Sequence, residues 1–181
     1  MIIGLTGTIA SGKSSVADIL KEEGFEHHTY PDILRQEAKK RNIESTRENL
    51  QKLGNKFKEE SNNMGILSRL IIENSKSKNI IADGIRTVDE INELRKHPDS
   101  YVIGIDALQK LRYNRLKSRK RAGDPITFDQ FKKIDNHENK GITAGQEINN
   151  CLKQSDFLIT NNSSLEELKK EIKNILEKIN G

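Results

Sequence analysis

The sequence predicts an α/β domain of three layers, with helices on both faces of a five-stranded parallel sheet. Three observations lead there. Short apolar runs alternate with amphipathic stretches of helical period, the pattern of βαβ units. The central runs are apolar on both faces, as parallel strands covered from both sides must be. The first run leads at once into a glycine-framed turn, Gly7 to Gly12, and then into an amphipathic helix.

The strands read as Ile2–Leu5, His27–Tyr30, Asn79–Ala82, Tyr101–Asp106 and Phe157–Thr160. A helix opens at Lys13 with Val16, Ile19 and Leu20 inward, and a second follows Asp32. Ser45-Thr46-Arg47-Glu48 reads as a capping box for a third helix carrying Leu50, Leu53 and Phe57, and a fourth covers Ile66–Ile72. Thr87-x-x-Glu90 caps a helix with Ile91 and Leu94, Leu108–Lys120 is a charged helix, and Thr127-x-x-Gln130 starts a short one. Cys151 falls in a further helical stretch, where it reads as a packed residue. The last helix begins at Ser164-x-x-Glu167, and its stripe of Leu165, Leu168, Ile172, Ile175, Leu176 and Ile179 reads as core. The whole of 1–181 reads as one domain, with a helical insertion at about 31–75 and a polar excursion at about 122–141 that contains Gly123-Asp124-Pro125.

Composition narrows the class. Hydrophobic residues make up 33% and charged residues 32% of 181 positions, so a compact core carries a heavily solvated surface. No apolar run approaches the ~20 residues that span a bilayer, and Met1-Ile2-Ile3-Gly4 lacks a charged leader region. The single cysteine fits a reducing compartment, so a cytoplasmic protein is expected. The net charge of +4 is modest, and the one dense basic cluster, Arg112 to Arg121, has only Tyr113 among its cations. A small phosphorylated ligand therefore fits better than nucleic acid. His27, His28, His97 and His137 show no metal-ligand spacing and read as ordinary strand or surface histidines.

Gly7-Thr8-Ile9-Ala10-Ser11-Gly12-Lys13-Ser14 satisfies G-x-x-x-x-G-K-[ST] at every fixed position, between a strand and a helix. The glycines let the backbone curl so that successive N–H groups face one anion, and the helix N-terminus adds its positive end. Lys13 then bridges the β and γ oxygens of a triphosphate, the Ser14 hydroxyl coordinates Mg²⁺, and Ser15 completes the nucleotide-binding set. This makes the predicted fold a three-layer P-loop NTPase fold that binds ATP and Mg²⁺. Asp83, after an apolar strand, is the candidate second metal partner.

Arginines recur just past the predicted strand ends, where open α/β sheets bind ligands: Arg35, Arg86, and the i, i+4 pair Arg115 and Arg119, followed by Arg121. Guanidinium forks of this kind align two anionic reactants. A guanine-reading N-K-x-D is not present, since Asn139-Lys140 runs into Gly141-Ile142.

Taken together these segments resemble the adenylate kinase-like nucleoside monophosphate kinases over nearly the whole chain. Thr29 to Arg35 is similar to that family's segment after strand two, and Asp83-Gly84-Ile85-Arg86-Thr87 to its D-G-F-P-R-T segment shortened by one residue. Arg115-Leu116-Lys117-Ser118-Arg119 is similar to its R-x-x-x-R before the lid. The likeness extends to an archaeal adenylate kinase-related branch through Asp32 to Arg41, Thr46 to Leu50, D-G-I-R and Ser155 to Asn161. Dephospho-coenzyme A kinase is a second relative through Gly4 to Ser14 and Ser155 to Asn161.

The resemblance implies that Asp32, Arg35, Asp83, Gly84 and Arg86 bind the acceptor, with Arg35 and Arg86 on its phosphate. It implies that Arg115 stacks on the donor base, that Arg119 reaches the phosphates, and that 122–141 is a lid. That lid carries Lys132, Lys133 and Lys140 where relatives carry arginines. The expected activity is transfer of the γ-phosphoryl of ATP to a nucleoside or deoxynucleoside monophosphate, with Lys13, Arg86 and Arg119 catalytic. For a hydroxyl acceptor such as dephospho-coenzyme A, Asp32 is the candidate base. The other readings are a low-turnover nucleotide-binding regulator and a kinase of nucleic-acid ends. No membrane partner is expected.

Overall fold

Strand β1 (Ile2–Gly7) is buried at every position. It can be, because paired strands flank it and helices cover both its faces, so its backbone groups are satisfied without water. In the computed structural model, which describes residues 1–119, 127–139 and 147–181, the sheet runs β2-β3-β1-β4-β5. All four pairings are parallel. The remaining strands are β2 (Glu26–Thr29), β3 (Ile80–Ile85), β4 (Ser100–Asp106) and β5 (Phe157–Thr160). All five runs expected as strands are strands. Their bounds differ in places: β1 continues through Gly7 and β3 runs from Ile80 through Ile85, β2 and β4 begin one residue earlier than expected, and Tyr30 belongs to a helix instead of β2.

Alternation along β1 divides the core. Ile3 and Leu5 face α1 (Lys13–Glu22) and α9 (Leu165–Asn180), packing on Val16, Leu20, Leu168 and Ile172. On the other face Ile2 joins residues of α2 (Tyr30–Lys40), α4 (Ile66–Asn74), α5 (Val88–Leu94) and α8 (Ile148–Gln154), among them Ile33, Ile71, Leu94 and Cys151. Each such side chain contributes about 1.5–3 kcal/mol on burial. This is the three-layer arrangement expected. Burial pushes the Cys151 thiol up to about 12, so it stays protonated and packed.

Between β2 and β3 the chain makes its helical excursion. Helix α3 (Arg47–Ser61) stands on α2 through Leu50 and Leu53 against Ala38, a small core of its own. Two helix starts differ from the sequence reading. Thr29 caps α2, so that helix begins at Tyr30 with Pro31 in its first turn, and Asp32 lies inside it. Helix α3 is capped by Thr46, which accepts from Asn49 N, while Asn49 Nδ2 returns to Glu44 O; the Ser45–Glu48 box does not form. The boxes at Thr87/Glu90 and Ser164/Glu167 are both present.

Past β4 come α6 (Gln109–Arg119) and α7 (Phe128–Asn139), joined by Tyr113, Leu116 and Phe131. Helix α7 is twelve residues long rather than short. Of the expected lid, 127–139 is described and is almost wholly α7, whereas 122–126, with Gly123-Asp124-Pro125, and 140–141, with Lys140, lie outside the described residues, as does Arg121. No helix among the described residues is long and apolar enough to cross a membrane.

Along α9 the stripe faces the core except at its first residue: Ile172 is fully buried, whereas Leu165 is 54% exposed. Ile172→Ala should therefore cost about 2–5 kcal/mol in a urea titration, and Leu165→Ala less than about 0.5 kcal/mol. Equal losses would contradict this packing.

Candidate active site

The turn after β1 is shaped by space. A Cβ on Gly7 would lie 2.1 Å from the Ile105 carbonyl oxygen, and one on Gly12 would lie 2.2 Å from Asn161 Nδ2. Neither position admits a side chain, so the loop curls tightly between β4 and the end of β5. Ala10 takes a left-handed φ of +58° at its tip. Inside, Ser11 Oγ is buried with no hydrogen-bond partner among the described residues. A cradle closed by glycines, an orphaned buried hydroxyl and the N-terminus of the ten-residue helix α1 together fit a bound anion.

The carbonyls of the loop are held from outside. Asn161 Nδ2 donates to Ser11 O at 2.8 Å and Arg115 Nη1 donates to the same oxygen at 3.2 Å. Arg115 Nη2 also donates to Asn161 O at 2.9 Å. Arg112, buried, donates to Ile9 O at 3.1 Å and to Ala107 O at 2.9 Å. Thr8 Oγ1 donates to Asp106 Oδ1 at 2.6 Å.

Lys13 lies over the loop, its Nζ donating to Gly7 O at 2.8 Å and Thr8 O at 3.2 Å. Burial lowers its pKa to about 8; Asp83 and Glu138 act against that shift, and Arg86 and Arg112 act with it. These four charged groups therefore share one electrostatic neighbourhood with the ammonium. Asp83 and Arg86 were expected there from the sequence. Glu138 was not, because it lies on α7, and a carboxylate in a polar helix carries no sequence signal of what it will face.

Asp83 reaches the site by an irregularity in β3. Leu5 pairs with Asp83 but Thr6 pairs with Ile85, so Gly84 is an extra residue, and its φ of +109° is one that glycine accepts readily. The bulge re-aims the strand end where Asp83 and Arg86 stand. Thr6 Oγ1 fastens it by donating to Ile85 O at 3.0 Å. The main chain of Arg86 is fixed on both sides: its N–H donates to Glu90 Oε2 at 2.8 Å, and its carbonyl accepts from Glu147 N at 2.6 Å. Its exposed side chain makes no hydrogen bond or ion pair with the described residues.

His27 lies 3.0 Å from Asp83 Oδ2 and close enough to Asp32 to favour its charged form. The sequence reading set it aside as an ordinary strand histidine. Its position two residues before Thr29, on the strand that leads into Thr29-Tyr30-Pro31-Asp32, was the signal available. Asp32 accepts from the Thr29 hydroxyl at 2.7 Å and from Arg35 Nη1 at 2.5 Å. The Thr29 hydroxyl first, and then Arg35 and His27, hold the Asp32 carboxyl below its ordinary value against the opposing effect of burial. Arg35 is thus occupied by Asp32, on a side chain 54% exposed. Arg119 is the exposed last residue of α6. Lys132 and Lys133 are exposed on α7, with Lys132 over the Phe128 ring at 4.7 Å.

For Mg²⁺ the hard oxygen donors are the exposed Ser14 hydroxyl, in the first turn of α1, and Asp83. One hydroxyl and one carboxylate suit an ion that keeps waters and phosphate oxygens as its other ligands. No cluster of three or more His, Cys, Asp or Glu residues among the described residues suits a metal. A cleft of about 660 Å³ lined by Met1, Phe25, Asn79 and Leu176 lies at the opposite edge of the sheet, where strands begin. Open α/β sheets bind ligands where strands end, and the cradle is there.

Comparison with known proteins agrees with this geometry. The sequence profile of a family described as an AAA domain matches residues 6–132. A UPF0200 protein of Methanocaldococcus jannaschii is 34% identical over 183 residues, covering 99% of this chain and 90% of that one. Another, of Hyperthermus butylicus, is 31% identical, covering 100% and 96%. Among solved structures, shikimate kinase from Bacteroides thetaiotaomicron superposes with a TM-score of 0.62 at 11% identity, covering 98% of both chains. A gluconokinase from Sinorhizobium meliloti superposes with a TM-score of 0.55 at 14% identity, covering 98% of this chain and 91% of that one. At such identities these likenesses establish the kinase-like P-loop fold alone.

The buried ammonium has a thermodynamic signature. The folded pKa of Lys13 lies below its unfolded value, so between about 8 and 10.5 the unfolded chain binds more protons and stability rises with pH. Below 8 both states are protonated and the whole cost, on the order of 3 kcal/mol, is present. Lys13→Met should be the more stable protein at pH 7 in urea titrations, with the difference shrinking from pH 8 to 10. Equal stability at pH 7 would show that the ammonium is not strained.

Proposed function

The chain belongs to the UPF0200 family and carries the AAA-domain P-loop, and on that footing we propose that it is a phosphotransferase moving the γ-phosphoryl of ATP to a small phosphorylated acceptor, a nucleoside monophosphate first among them. The observation that carries this reading is Arg86. Its backbone is clamped by Glu90 and Glu147, its guanidinium lies in the fields of Lys13 and Glu90, and its exposed side chain makes no hydrogen bond or ion pair with the described residues. Two like charges in one neighbourhood, which Asp83, Glu138 and Glu90 offset only in part, suit two anions meeting between them.

In this mechanism the cradle amides of 7–14 and Lys13 hold the donor phosphates. Arg119, at the end of α6, adds charge on the donor side. Arg115, which braces the cradle through Ser11 O and Asn161 O, would stack on the donor base. Arg86 holds the acceptor phosphate at the strand end beside Asp83. Arg35 joins it by exchanging Asp32 for the acceptor. Ser14 and Asp83 would hold Mg²⁺, which supplies charge neutralisation for the triphosphate. The rest is positioning: a phosphate acceptor with second pKa about 6 is already anionic near neutral pH and needs no base.

A hydroxyl acceptor, dephospho-coenzyme A among them, requires a base, and Asp32 is the candidate. The hydrogen bonds that hold its carboxyl below the ordinary value make it a weaker one. That favours the phosphate acceptor.

ADP release from ATP and Mg²⁺ should be stimulated by one member of a panel of ribo- and deoxynucleoside monophosphates. Stimulation by dephospho-coenzyme A alone would move the reading to a hydroxyl acceptor. Binding of ATP without stimulation by any acceptor would leave a nucleotide-binding regulator or a kinase of nucleic-acid ends. With the acceptor in hand, Arg86→Ala should lower kcat/KM for it about 10²–10³-fold, and Lys13→Ala should nearly abolish turnover. An Arg86→Ala protein with unaltered acceptor kinetics would remove the basis of the proposal.

A further inference from the structure

Helix α7 is fastened to the cradle by a buried ion pair. Arg112 Nη1 and Nη2 meet Asp135 Oδ1 and Oδ2 at 2.5 and 2.8 Å, a bidentate fork with both side chains almost wholly buried. Gln109 Nε2 donates to Asp135 Oδ2 at 2.8 Å. The same guanidinium reaches Ala107 O at the end of β4 and Ile9 O in the cradle. Beside it Ile9 and Ala10 pack on Tyr113, Phe128 and Phe131. One rigid planar group thus spans α6, α7, the end of β4 and the loop.

Stability alone is a poor reason for such a pair. Buried ion pairs are commonly matched or bettered by apolar residues of similar volume. What apolar residues cannot do is hold a backbone carbonyl. In a trans peptide the C=O and the following N–H point in opposite directions. Drawing Ile9 O toward α6 therefore turns the Ala10 N–H away from α6, to the side of the loop an anion would take. The peptide in question is the one entering Ala10, whose φ of +58° has little support from an alanine side chain.

We propose that Arg112 is a positioning residue for the phosphate cradle, aiming the Ala10 amide through Ile9 O, and that Asp135 on α7 holds Arg112 in that position. Helix α7 is then part of the frame that shapes the cradle. The coupling is a property of the protein before any ligand binds. Only its consequence for affinity rests on the phosphotransferase reading.

The test is the double variant Arg112→Met/Asp135→Leu, which removes both buried charges at similar volume, together with Arg112→Lys. The first readout is amide exchange in the unliganded protein. Exchange at Ser11, whose N–H donates to Thr8 O across the same turn, should speed at least tenfold in both variants, with thermal midpoints near the parent. The second is affinity for ATP with Mg²⁺ and for inorganic tripolyphosphate, which should fall at least tenfold. Lysine keeps the charge but is not a fork, so Arg112→Lys should not restore either property. If it does, charge alone suffices and the positioning role is overturned. Unchanged exchange in a folded double variant also overturns it; if the double variant does not fold, Arg112→Lys decides the question. A parent protein that binds neither probe would fail the phosphotransferase reading, while the exchange result would still decide this one.

Discussion

Several amide dipoles converge on one point only if something holds their carbonyls apart, and the rest of this site depends on that constraint. Two side chains of α6, three positions apart and so on one face, hold it: Arg112 on Ile9 O and Arg115 on Ser11 O. Asn161, from beyond β5, takes Ser11 O as well. The glycines remove the side chains that would block this bracing, since Gly12 lies against Asn161 itself. The cradle is the inner surface of a shell whose outer surface is guanidinium and carboxamide.

Electrostatics then follows from crowding. Lys13, Arg86 and Arg112 share a neighbourhood in which burial has already weakened the case for a charged ammonium. Asp83 and Glu138 offset part of this. His27 and Asp32 continue the series outward to Arg35, so charges of both signs run from the cradle to the rim beside α2. Such a series suits phosphoryl chemistry, where charge moves from donor to acceptor and each step meets a group of the right sign.

Much of this was legible in the sequence where chemistry and spacing coincide. The cradle announces itself because glycine, lysine and serine at fixed spacing between a strand and a helix have few other uses. The strands were legible because apolar character on both faces has one common cause. Asp83 and Arg86 were singled out by their place near a strand end, Asp83 inside β3 and Arg86 just past it, although the Gly84 bulge that lies between them was hidden: register slips depend on pairing with β1, which no local pattern records. His27 and Glu138 were missed for a related reason. Their significance is a distance to another element, to Asp83 across β2–β3 and to Lys13 from α7, and neither residue type is rare on a surface. Arg112 was visible only as one cation in a basic cluster, yet among the described members it is the buried one. Charge clusters hide their inward-facing member because helical period is read from apolar residues.

The hydrogen bond from Asn161 to Ser11 joins positions 150 apart in the sequence. Helix α9 covers the far side of α1, so the helix that carries Lys13 and Ser14 has no complete core until nearly the whole chain has folded. Synthesis presents the glycine loop about 150 residues before Asn161, one of the residues that shape it. Contacts of such separation form late, because the chain between them must lose its freedom before they are gained. A growing or broken chain therefore carries the cradle's sequence without its shape. The shape of the cradle is thus a property of the folded chain and not of the loop's own sequence.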